Sequence, residues 1–157
     1  MSGPTAQYGI DTCSLTALRR VYPNDVFPGV WAKVSMLAHV DILTAIELVL
    51  TELEVEDDEI WQWARTNASM FCPLDEPIQL KASKILSTHP NLIDLKRRKS
   101  AADPFIVAHA IVHSCVVVTE EKPSGGPHRS KIPDVCKAYG IGCIPLIEML
   151  RREGLRL

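Results

Sequence analysis

The sequence predicts an α/β fold in which a central, mostly parallel sheet carries helices on both faces. Three observations predict it. Short apolar or β-branched runs alternate along the chain with segments of helical periodicity. Successive runs are joined through those helices, as parallel strands require. The 157 residues, 46% of them hydrophobic, supply one core and show neither an internal repeat nor a linker. Residues 1–157 are therefore read as one domain.

Tyr8–Asp11 opens the chain as a short strand ending in an acid, and Thr12–Arg20 reads as a helix. Pro23 and Asn24 break it, and an amphipathic segment runs from about Phe27 to Ala38. Val40–Leu43 is the second strand candidate. Ile46, Val49, Leu50 and Leu53 then recur with the spacing of one helix face. The acidic run Glu54–Glu59 ends that helix and opens the next, where acids suit the positive end of the dipole. The next helix carries Ile60, Trp61, Trp63 and Ala64; the adjacent indoles point to different sides, and at least one is read as packing. Ile78–Leu86 is a further helix, His89–Asn91 a turn, and Phe105–Val112 a helix apolar nearly all round. Cys115–Val118 is a β-branched strand, and Glu120–Pro133 is too rich in Pro and Gly for regular structure. Asp134–Tyr139 is a short helix closed by Gly140, Cys143–Ile144 a last strand, and Pro145–Arg152 a last helix.

A net charge of −2 with 23% charged residues excludes a chain that binds nucleic acid everywhere, so any such contact must come from local clusters. No apolar run is long enough to span a bilayer, and Met1–Gln7 lacks the charge and apolar core of a signal peptide. The five cysteines are scattered and never form a C-x-x-C pair, which argues against a disulfide framework or structural zinc. A reduced, cytoplasmic protein without a membrane segment is the expectation.

The acids carry the chemistry. Ligands on parallel sheets sit outside the carboxyl ends of the strands, and Asp11 and Glu121 stand at two such ends. Asp11 also suits an N-cap. Asp103-Pro104 reads as an N-cap followed by Pro at the first helical position. Glu121 follows Asp103 by one helix and one returning strand, which puts both acids at the same edge. Glu47 and Glu52 flank the apolar face of their helix on opposite sides, and periodicity does not choose between them. The basic residues Lys96, Arg97, Arg98 and Lys99 run towards Asp103, while Lys122, His128, Arg129 and Lys131 follow Glu121. Basic segments bracketing an acidic centre suit phosphate contacts around a divalent metal. His109 and His113 stand at i, i+4 but lack the Glu of the zincin motif, so they read as core or helix-end residues.

Four segments in order resemble the PIN-domain ribonucleases, especially toxins of the VapC type and their PIN-like relatives. Ile10–Leu15 looks like the opening strand with its Asp-Thr/Ser signature, and Leu50–Glu56 is similar to the second motif, which selects Glu52. The run beginning at Asp103 resembles Asp-x-x-Ile-x-Ala-x-Ala, and Val117–Glu121 resembles a strand ending in Thr, any residue, then an acid. Cys13 stands where the family usually has Ser or Asn, and Glu121 where it more often has Asp. The resemblance implies a Mg²⁺- or Mn²⁺-dependent endoribonuclease with Asp11, Glu52, Asp103 and Glu121 as its catalytic and metal-holding acids. Glu120 is the alternative fourth acid. It further implies an RNA substrate contacted by Lys96, Arg97, Arg98, Lys99, Arg129 and Lys131, a small cognate antitoxin protein, and a homodimer. Two other readings stand beside it. One is a non-catalytic PIN-like module that binds RNA or protein. The other is a phosphoryl-transfer hydrolase, for which Ile10-Asp11-Thr12 fits but Cys13 replaces the required second Asp.

Overall fold

The computed structural model describes residues 6–56, 58–93, 101–124 and 130–157. Its five strands are β1 (Tyr8–Ile10), β2 (Leu43–Ile46), β3 (Phe71–Cys72), β4 (Val116–Val118) and β5 (Cys143–Ile144). They form one sheet in the order β3-β2-β1-β4-β5, and every pairing is parallel. Among the described residues eight α-helices connect and cover them: α1 (Thr12–Val21), α2 (Pro28–His39), α3 (Glu47–Glu56), α4 (Glu59–Thr66), α5 (Glu76–Thr88), α6 (Asp103–His113), α7 (Ile132–Ala138) and α8 (Leu146–Arg152). The α/β class read from the sequence is borne out.

The strand order follows from one reversal. The chain steps outward from β1 to β2 to β3, returns beside β1 as β4, and continues to β5. Right-handed crossovers put outward and returning helices on opposite faces. Accordingly α1, α3 and α4 pack on one another, whereas α6 packs on α5 and α7 and lies against β1, β2 and β4. Between the faces lies a core including Ile10, Leu15, Leu43, Ile46, Val49, Leu53, Val107 and Val118. Each such side chain contributes about 1.5–3 kcal/mol by leaving water. Among the described residues no helix is long and apolar enough to cross a membrane.

The sequence reading did not expect β3, and α7 begins at Ile132, inside the run read as a loop to Pro133; two further boundaries differ. The second strand is Leu43–Ile46 rather than Val40–Leu43. Val40 and Asp41 finish α2: the Val40 N–H donates to Met36 O at 3.0 Å, and Asp41 takes a left-handed φ of 62°. Ile42 N–H then closes the turn on Leu37 O at 3.0 Å. Asp tolerates that conformation better than most residues, so the turn needs no glycine and leaves no obvious mark. The second difference is Asp103, which is not an N-cap. Ala102 occupies that position without a side-chain bond, and Asp103 is the first helical residue. Its carboxylate lies in the first turn of α6, at the positive end of the dipole.

The indoles pack. Trp63 meets Trp31 edge-on with ring centroids 6.4 Å apart and donates Nε1–H to Ser35 Oγ at 2.8 Å. Arg65 lies over the Trp61 ring at 4.7 Å.

A candidate acidic site at the switch point

The reversal of strand order lies between β1 and β4, and on such sheets ligands bind outside the carboxyl ends at that point. Asp11 is the first residue beyond β1, and Thr119 the first beyond β4. The Asp11 N–H donates to Val118 O at 3.1 Å, which extends the ladder by one bond and locks the two ends together. The Thr119 hydroxyl donates to Asp11 Oδ2, and its oxygen accepts the Glu121 N–H at 3.1 Å. On the other oxygen, Oδ1, Asp11 accepts the Ser14 N–H at 2.9 Å and so caps α1. The Cys13 thiol lies 3.2 and 3.0 Å from the two carboxylate oxygens and 3.5 Å from Thr119 Oγ1. Asp11 thus serves as cap and as candidate site residue at once.

Burial governs its charge. Asp11 is only 3% exposed, and desolvation pushes its pKa from the ordinary 3.8 up to about 6, against the downward pull of Thr119, Cys13 and Ser14. Those opposing groups are neutral donors. Burial and the Asp11 charge push the Cys13 thiol up as well, so it stays protonated as a donor.

Glu52 is joined to this centre through its neighbour: the Thr12 hydroxyl donates to Glu52 Oε2. Glu47, the residue on the other side of that helix face, instead accepts the Leu74 N–H at 3.1 Å near β3. Asp103 reaches the same edge by topology. α6 feeds β4, so it runs against the strands and its first turn lies at their carboxyl ends. Gly9 and His109 touch so closely that a Cβ on Gly9 would sit 3.2 Å from His109 Nδ1. From that contact Asp103 lies six residues back along the helix, about 9 Å, and Asp11 two residues on along the strand, about 6.6 Å. By these ideal rises the two acids lie within about 3 Å of one another in height along the sheet. Asp103 is 8% exposed.

The terminal glutamates separate. Glu121 Oε2 accepts the Ile132 N–H at 3.1 Å at the start of α7, whereas Glu120 Oε1 accepts the Leu146 N–H at 2.8 Å at the start of α8. Both glutamates, with Thr119, Lys122 and Cys143, line a cleft at the ends of β4 and β5, beside the switch point. Lys131 is half-buried and N-caps α7, next to the amide that holds Glu121. Lys96, Arg97, Arg98, Lys99 and Arg129 lie outside the described residues.

Among the described residues no three His, Cys, Asp or Glu side chains converge as a ready-made metal cluster. Mg²⁺ takes oxygen donors, keeps several waters and needs only one or two protein carboxylates. A buried Asp11 whose carboxylate oxygens are met by neutral donors, with the Asp103 carboxylate in the first turn of α6, fits that demand. Sequence reasoning named the acids but gave no role to Thr12, Cys13 or Thr119. The available signal was small: a hydroxyl or thiol beside each strand-end acid.

Residues 8–157 match the family model described as "Domain of unknown function (DUF4411)". No curated protein matches the chain. Among solved structures, PAE2754 from Pyrobaculum aerophilum matches with a TM-score of 0.51 and 18% identity, over 94% of this chain and 88% of that one. VapBC2 from Rickettsia felis, bound to a DNA fragment from their promoter, contributes a chain that matches with a TM-score of 0.50 and 12% identity, over 88% of this chain and 97% of that one. At these identities the likeness is one of fold.

Proposed function

The chain belongs to the DUF4411 family, a domain of unknown function, and from its own site we propose that it is a PIN-like, Mg²⁺- or Mn²⁺-dependent endoribonuclease. The observation that carries the reading is the buried Asp11 at the switch point, tied to Thr119 beyond β4. The four ordered motifs and the fold shared with a VapBC2 chain support it. By the same likeness its partners are a cognate antitoxin and a second copy of the chain, in a cytoplasmic setting.

In this reading Asp11 and Asp103 hold the cation. When bound, the cation stabilises the negative charge that builds on the phosphodiester oxygens. Thr119 and Cys13 keep the Asp11 carboxylate in one orientation. Thr12 does the same for Glu52, which with Glu121 orients the attacking water. Lys131 and the basic run Lys96–Lys99, with Arg129, contact RNA phosphates without reading sequence. Hydrolysis leaves a 5′-phosphate and a 3′-hydroxyl. Since Asp11 must shed its proton to take the cation, cation binding weakens as the pH drops through about 6.

The test is cleavage of single-stranded and structured RNAs with Mg²⁺, with Mn²⁺ and with chelator, followed by analysis of the product ends. Asp11→Asn and Asp103→Asn should each lower cleavage by at least about 100-fold, since loss of even an outer-shell partner of a metal ligand costs about 10–100-fold. Full activity in either variant rejects the assignment. A second reading, a non-catalytic module, is favoured by the chain donors already on Glu52, Glu120 and Glu121. It predicts RNA binding without cleavage at any metal concentration.

A further inference from the structure

The cleft at the ends of β4 and β5 holds more than the acid that the hydrolysis uses. Its volume is about 270 Å³, just below the usual range for small-molecule pockets of about 300–1,000 Å³, which suits one ring system rather than an extended ligand. Pro123, Pro133, Ile144 and Pro145 give it apolar walls. Its polar groups are few and of two kinds. Glu120 and Glu121 are each anchored through one oxygen, by the Leu146 N–H at 2.8 Å and the Ile132 N–H at 3.1 Å. A carboxylate has about four lone-pair sites and no donor, so each keeps acceptor capacity while its position is set. Among the described lining residues Lys122 is the cation, exposed and able only to donate. Thr119 lines the same cleft and bonds Asp11 directly, so the cleft is continuous with the proposed metal site.

We propose, resting on the nuclease reading, that this cleft takes an unpaired guanine of the RNA strand next to the phosphodiester at Asp11. Single-stranded RNA is read on the edges of its splayed-out bases, and the cleft's donors and acceptors select among them. Guanine alone joins two adjacent donors, N1–H and the N2 amino group, to an acceptor pair, O6 and N7. The donors match a carboxylate, and the acceptors match a lysine. Adenine and cytosine each set one amino donor beside a ring-nitrogen acceptor that a carboxylate repels, and uracil sets its N3–H between two carbonyls. Glu120 is the carboxylate assigned to the base, because Glu121 is tied through its N–H to Thr119 and so to Asp11. Lys122 is assigned to O6 and N7. The apolar walls cover the ring faces. Such recognition acts through affinity, so it shows in KM rather than in kcat.

The experiment reads binding without cleavage. The four nucleoside 5′-monophosphates are titrated one at a time against the full chain in chelator and followed by ligand-observed NMR. Guanosine 5′-monophosphate should bind at least about 5-fold more tightly than uridine 5′-monophosphate, the lower end of what one bidentate contact discriminates. Glu120→Gln keeps an acceptor for the Leu146 N–H but adds an amide donor, and it should remove the preference. Lys122→Met, at an exposed position, should weaken guanosine 5′-monophosphate most, and it tests the same cleft should Glu120→Gln fail to fold. Equal affinities for the four, no saturable binding, or a guanine preference that survives either folded variant overturns the proposal. Guanine preference without RNA cleavage in Mg²⁺ or Mn²⁺ upholds the cleft and rejects the nuclease reading; cleavage without the preference does the reverse.

Discussion

Two buried residues set opposite pH dependences. His109 is 2% exposed, and its pKa is lowered from 6.5 to about 4, first by desolvation and then by His113, with Asp75 opposing. Its stability contribution is present above pH 6.5 and is lost as the pH falls through about 4. Asp11, raised from 3.8 to about 6, works the other way. Its contribution is present below pH 3.8 and is lost as the pH rises through about 6. Each amounts to roughly 3 kcal/mol, so between pH 7 and 4 they nearly cancel. Asp11→Asn keeps a capping side chain and removes one arm. In chelator the variant should be about 3 kcal/mol more stable than the parent at pH 7 and lose that gain by pH 4, as chemical denaturation would show. A variant no more stable than the parent at pH 7 sinks the account. Asp11 was legible because strand end and cap share one position, two residues beyond Gly9. Thr119 was not legible as its partner, since their 108-residue separation closes only once β4 returns beside β1.

At the scale of elements, short strands were the hard part. β3 is two residues between a 3₁₀ turn and Pro73, too short for any periodicity, and β2 was displaced because Asp41 makes a turn that usually signals itself with Gly. The long helices were legible because Val49, Leu53, Ile78, Ala82 and Ile85 bury one face each. The choice between Glu120 and Glu121 was out of reach for a different reason. Their amide partners lie 26 and 11 residues further on, at the starts of separate helices. That geometry now separates them by experiment. Glu120→Ala and Glu121→Ala should each cost about 1 kcal/mol, the usual worth of a side chain on a helix N-terminus. Only Glu121→Ala should also lower metal-dependent cleavage at saturating RNA, because Glu121 is tied through its N–H to Thr119, the residue that holds Asp11, whereas the Glu120 carboxylate is turned to the start of α8. Equal effects on cleavage would remove Glu121 from the site.

For the molecule as a whole, the parallel sheet was legible from alternation alone, but its order was not. Nothing local in Val116–Val118 says that it returns to β1 rather than adding beyond β3. That return creates the switch point and turns acids scattered over the sequence into one acidic edge. Under the proposed function the same edge would repel RNA, and a net charge of −2 gives no general attraction to offset it. RNA binding would then rest on the local basic clusters. Each phosphate contact on a single strand adds about 0.7 to the slope of log K against log salt. Replacing Lys96, Arg97, Arg98 and Lys99 by alanine should therefore lower that slope by up to about 3 and weaken binding similarly for all RNA sequences. Measured with Asp11→Asn to prevent cleavage, an unchanged slope would show that the RNA path avoids this segment and place the burden on Arg129 and Lys131.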